Sequence, residues 1–174
     1  MTHQQWLFSY DEWAQAPSMS QLSLGDEALE RKKMCAFIDC IGKRLQLDQD
    51  DIRTAKALAH RFYMRHSFRS YNYHEVGATI LALMGKVGCE YRGIDHVAKT
   101  CVSKRLEGEQ RTKEMDKWIE CIMSKELIVL ESLAFDFSVE HPHSYALDYV
   151  SKLYTHEPCY DQLLSCAFMY CDWW

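Results

Sequence analysis

Residues 76–84 read Val-Gly-Ala-Thr-Ile-Leu-Ala-Leu-Met, small and apolar on every side, and two residues later the chain reaches Lys86. A helix that is apolar all round belongs in the middle of a protein. Lysine, in contrast, is almost never buried without a partner. The segment therefore predicts a central helix that ends where an ammonium group either meets solvent or finds an opposite charge. Just before it, residues 60–68 (His-Arg-Phe-Tyr-Met-Arg-His-Ser-Phe) close a preceding helix on aromatic and basic side chains.

The chain has 174 residues, 48% of them hydrophobic, enough to fill a real core. Three prolines, seven glycines and long patterned segments favour helix over sheet. Twenty basic residues face 25 acidic ones, a net charge of −5. That balance argues against broad phosphate-backbone binding, which needs clustered positive charge, so no direct nucleic-acid binding is expected. No apolar run is long enough to cross a membrane, and the first residues lack the basic-then-apolar pattern of a signal peptide. The eight cysteines, at 35, 40, 89, 101, 121, 159, 166 and 171, form no CxxC pair. Most fall at apolar helical positions, where free cysteine acts as a small hydrophobe, and the expectation is an intracellular protein with reduced thiols.

Along the chain, residues 1–25 form an N-terminal segment whose aromatics, Trp6, Phe8, Tyr10 and Trp13, predict a short docked helix near 10–16. Five helices are expected between residues 26 and 138. The first starts at Gly25-Asp26 and carries Met34, Phe37, Ile38, Ile41 and Leu45 on one face. The second is capped by Asp48 and striped with Ile52, Ala55, Ala59, Phe62 and Tyr63. The third runs from 73 to 86, with Gly77 and its alanines allowing close approach of neighbours. The fourth spans 94–105, then the polar run 107–113 reads as a solvated connection, and the fifth spans 114–133. Residues 135–142 read as an extended connector into Pro142. Two more helices are expected in residues 139–174, near 143–154 and 158–174.

Four stretches then carry a resemblance. Pro17-Ser18 precedes the first helix. Thr54-Ala55 through residues 60–64, with His66-Ser-Phe68, forms the second helix and its exit. Lys86-Val87 closes the third. Residues 126–137 followed by Val139-Glu-His-Pro142 form the end of the fifth helix and the linker. In combination they resemble the transcriptional cyclins, of the cyclin K and cyclin T type or the cyclin subunits of fungal kinases acting on the RNA polymerase II C-terminal domain. The resemblance covers residues 17–154. It implies an all-α fold, a five-helix cyclin box followed by an incomplete second cyclin-like repeat. It also implies a nuclear regulatory subunit with no catalysis and no cofactor of its own, which binds and activates a cyclin-dependent protein kinase as a heterodimer, with further transcription factors as additional partners. A cyclin-fold adaptor that binds a transcription or splicing factor without activating a kinase is the alternative.

By the same correspondence Lys86 and Glu126 are the central kinase contacts, with Phe62, Leu83, Leu127 and Glu90 around them. On residue chemistry alone Glu126 interrupts an apolar stripe between Met123 and Leu130, and a carboxylate there needs a partner. Two roles stay open at that level: an internal ion pair with Lys86, or a contact to a partner chain. One departure from the family pattern lies beside the pair. Gly88-Cys89 stands where an acidic pair is expected, with Glu90 displaced by one place.

The remaining constellations point to no further chemistry. Cys35, Cys40 and His60, or His141, His143 and Cys159, lack the paired short spacings of structural zinc sites, so no metal is expected. No nucleophile elbow or phosphate-binding glycine loop is present. His60, Arg61 and Arg65 form either a basic patch or, as the expected role for the two arginines, a solvated helix face, with pairing to Asp or Glu of neighbouring helices as a further alternative.

Overall fold

The computed structural model describes residues 3–87, 93–102, 105–155 and 157–173, all of them helix, turn or connector with no strand. A 3₁₀ turn (His3–Trp6) leads into α1 (Tyr10–Ala14). Then follow α2 (Leu24–Arg44), α3 (Gln49–Arg65), α4 (Tyr73–Val87), α5 (Ile94–Cys101), α6 (Gly108–Ser132), α7 (Pro142–Tyr154) and α8 (Tyr160–Trp173). The chain divides into two compact units, one running to Phe137 and one from Ser138.

Helix starts follow capping chemistry. Ser9 and Glu12 form a reciprocal capping box on α1. Asp48 caps α3, as its position in the sequence predicts, accepting the Asp51 amide at 2.8 Å. Helix α2 starts at Leu24 rather than at Gly25-Asp26, because Ser23 takes the cap and accepts the Asp26 amide at 3.1 Å.

Helix α4 is the axis of the first unit. Every residue from Val76 to Gly85 is buried, and α2, α3, α5 and α6 all pack against it. A methyl group on Gly77 would lie 3.1 Å from Phe37 Cδ1 and 3.2 Å from Ile38 Cγ1, so glycine here lets α2 and α4 approach closely. Met34 and Ile38 of α2, Leu58 and Phe62 of α3, Val97 of α5 and Ile122 and Val129 of α6 close the core around it.

The Pro17-Ser18 pair has a visible job. Ser18 is fully buried and its Oγ accepts the Phe68 amide at 3.1 Å, tying the segment before α2 to the exit of α3. Two further boundaries differ from expectation. The polar run 107–113 is no connection: Glu107 is the cap residue of α6 and 108–113 are its first turns; their side chains are largely solvated, which removes the apolar periodicity that would have marked them. Helix α5 ends at Cys101 rather than near 105.

In the second unit α7 and α8 pack together, with His143 edge-on to Phe168 at 5.4 Å and the Ser151 and Tyr160 hydroxyls 2.9 Å apart. Pro142 occupies the first position of α7, where its missing amide hydrogen costs nothing. Tyr145, Tyr149, Leu153, Met169 and Tyr170 are exposed.

Candidate partner-docking surface

Lys86 sits in the last turn of α4, where a cation suits the helix dipole. Across from it, α6 contributes the next part of the surface. Ile122 and Val129 face inward, while Met123 and Leu127, one turn apart, are each 61% exposed. Glu126 lies between these two faces. Lys86 Nζ and the Glu126 carboxylate form an ion pair and hydrogen bond, both side chains partly shielded. The two charges singled out in the sequence thus emerge together on one side of the α4–α6 crossing, beside exposed Val87, Met123 and Leu127. A shallow depression along α6, lined by Asp116, Ile119, Glu120, Met123 and Ser124, continues this face.

A second ion pair crosses the same two helices and was not foreseen. Lys125 reaches Glu75, in the first turn of α4, at 2.9 Å. Its Nζ also lies 3.6 Å from Cys121 Sγ. Adjacent residues on α6 are therefore drawn to opposite ends of α4: Lys125 to its amino end and Glu126 to its carboxyl end. The link between Lys86 and Glu126 consequently joins helices whose crossing is fixed from both sides. Long-range pairing of this kind leaves no local spacing signal, so Glu75 and Lys125 could not be singled out from sequence.

Two expected contact residues need correction. Phe62 is fully buried, stacked on His66 at 4.4 Å and edge-on to Tyr63 and Tyr71, so it cannot touch a partner. Leu83 is only 3% exposed, because α4 is enclosed on all faces at that level. Both support the surface from beneath. The expectation for Glu90, like the Gly88-Cys89 departure, lies outside the described residues. Leu127, in contrast, is exposed.

The basic and thiol-bearing residues have other arrangements. Arg61 and Arg65 do not form a plain solvated face: their guanidinium groups lie 4.7 and 4.6 Å from the ring centre of Trp6. His60 turns between α2 and α3 instead. Arg31 Nη1 donates to its Nδ1 at 2.9 Å, which leaves the proton on Nε2, 3.3 Å from Cys35 Sγ. Arg31 is itself held by the buried Glu27 at 2.5 Å. Burial pushes the His60 imidazole down to about 4, with Arg31 and Lys56 adding to the effect. Burial also raises the Cys35 thiol, so the pair is a neutral imidazole beside a protonated thiol and not an activated nucleophile. Among the described residues no group of three His, Cys, Asp or Glu side chains is placed to hold a metal ion.

Comparison with known proteins returns a consistent set of relatives, although no family model matches the chain. Cyclin pch1 of Schizosaccharomyces pombe is 36% identical over 154 residues, which cover 85% of this chain and 45% of that protein. Cyclin-K of Danio rerio is 35% identical over 148 residues, 85% of this chain and 35% of the relative. Cyclin-T of Drosophila melanogaster is 33% identical over 146 residues, 82% and 13% respectively. The chain spans less than half the length of these relatives. With a central helix enclosed by four others and relatives of one kind along most of its length, the chain belongs to the cyclin family, in the group of cyclin pch1, cyclin K and cyclin T.

Proposed function

We propose that this chain is a regulatory subunit that binds and activates a cyclin-dependent protein kinase, one that phosphorylates the RNA polymerase II C-terminal domain in the nucleus. The observation that carries this reading is the Lys86–Glu126 pair at the α4–α6 crossing, flanked by exposed Val87, Met123 and Leu127. Kinase catalysis requires the glutamate of the kinase C-helix to pair with the lysine that holds the ATP phosphates. A kinase whose C-helix rests outward lacks that pair. The α4–α6 face offers a rigid apolar patch with a charged pair at its edge, and it would hold the C-helix only in the inward position. Differential affinity for the inward state shifts the kinase population toward activity. Such an interface needs about 800 Å² per partner.

In this role Lys86 and Glu126 exchange part of their mutual pairing for hydrogen bonds to the kinase backbone. Leu127 and Met123 supply apolar contact, with Phe62 and Leu83 holding the surface from below. The test is to titrate the chain into a purified kinase of the C-terminal-domain class and follow phosphorylation of a heptad-repeat peptide. A saturable rise in activity supports the proposal. Saturable binding with no rise supports the adaptor reading instead.

A further inference from the structure

The N-terminal 3₁₀ turn lies far in sequence from the end of α6, yet the two are bound together. The guanidinium groups of Arg61 and Arg65 lie over the Trp6 ring, 4.7 and 4.6 Å from its centre. Its Nε1 donates to Asp136 Oδ2 at 2.8 Å, and Gln5 Nε2 donates to the same oxygen at 3.0 Å. Arg61 Nη1 reaches the Asp136 carbonyl at 3.4 Å, and Arg65 Nη1 donates to the Ser132 carbonyl at 2.6 Å. The four hydrogen bonds all end on Ser132 or Asp136.

That stretch is strained. Ala134 and Phe135 have φ of 51° and 55°, two successive non-glycine residues in the left-handed region. Such a conformation persists only where its surroundings over-determine it. The Phe135 side chain is 63% exposed and anchors little. Local backbone bonds help, from Ala134 to Glu131 and from Phe135 to Leu130. The Asp136 carboxylate, immediately after the strained pair, accepts hydrogen bonds from Gln5 and Trp6 of the N-terminal segment.

We propose that the N-terminal segment is a releasable strap. By holding Asp136 against α3, Trp6 and Gln5 keep the left-handed turn after α6 in one conformation. Because coupling is reciprocal, a partner that took up the N-terminal segment would loosen that turn, and anything that fixed the turn would tighten the segment.

Amide hydrogen exchange on the full chain tests this. Trp6→Ala is expected to speed exchange at residues 134–138 at least tenfold while amides of α3 and α4 stay within twofold. Trp6→Phe, which keeps an aromatic face but loses the N–H donor, and Asp136→Asn should each give an intermediate increase. Ala134→Gly removes part of the left-handed cost and should restore protection to the Trp6→Ala chain in part. Unchanged exchange at 134–138, equal acceleration throughout the first unit, or no rescue by Ala134→Gly would each overturn the proposal.

Discussion

Lys86 and Glu126 lie forty positions apart in sequence and meet as an ion pair where the end of α4 passes α6. The pair closes one side of a crossing that Glu75 and Lys125 close on the other. Partly shielded pairs of this kind contribute about 0.5–1 kcal/mol to stability. A double-mutant cycle with Glu75→Gln and Lys125→Met, read by chemical denaturation, should give a coupling of that size. A coupling indistinguishable from zero would show that the second pair does not fix the crossing.

The burial of Phe62 and the exposure of Leu127 separate folding from docking. Phe62→Ala should destabilise the chain by about 3–5 kcal/mol, the usual loss for a buried phenylalanine. Leu127→Ala should change stability by less than about 0.5 kcal/mol and weaken kinase binding by more than about 1 kcal/mol. Thermal melts alongside a binding titration distinguish the two, and the reverse pattern would move the docking surface elsewhere.

Helices α2 and α3 meet at Gly42, where a methyl group would stand 2.7 Å from Ile52 Cγ1. Ile52 is only 1% exposed and has little room to yield. Gly42→Ala would gain about 1 kcal/mol in helix propensity but incur about 1–3 kcal/mol of overpacking, so a net loss is expected. Ile52→Ala should then cost less in the Gly42→Ala chain than in the native one. Stabilisation by Gly42→Ala would contradict this packing.

His60 predicts an acid dependence. Its folded-state value of about 4 lies below the usual 6.5, so the unfolded chain binds the extra proton. The stability it supplies is therefore complete above pH 6.5 and is lost as pH falls toward 4, by at most about 3 kcal/mol. His60→Gln should flatten the fall in unfolding free energy over that window. The same slope in both chains would remove His60 as its source.

Much of the fold was written locally. The all-apolar run of α4, the Asp48 cap and the stripe through Ile52 and Phe62 each appear as spacing or as a capping residue. Lys86 and Glu126 were legible because each is a charge interrupting an apolar pattern. What escaped was decided by distant chain. Trp6 finds Arg61, Arg65 and Asp136, and His60 finds Arg31 and Cys35, through tertiary packing that no short spacing encodes. Phe62 and Leu83 were misplaced because a resemblance carries residue types from one chain to another without showing which of them neighbouring helices cover. The start of α6 was missed because a solvated helical turn and a polar loop have the same composition.

Kinase engagement by the α4–α6 surface through Lys86 and Glu126 stands or falls on calorimetric titration of Lys86→Ala and Glu126→Ala chains into a kinase that the native chain activates. Each variant should remain folded and bind about 2–5 kcal/mol more weakly, the usual loss when half of a buried charged contact is removed. Native affinity in both variants would leave the pair as an internal brace between two helices, with no part in docking.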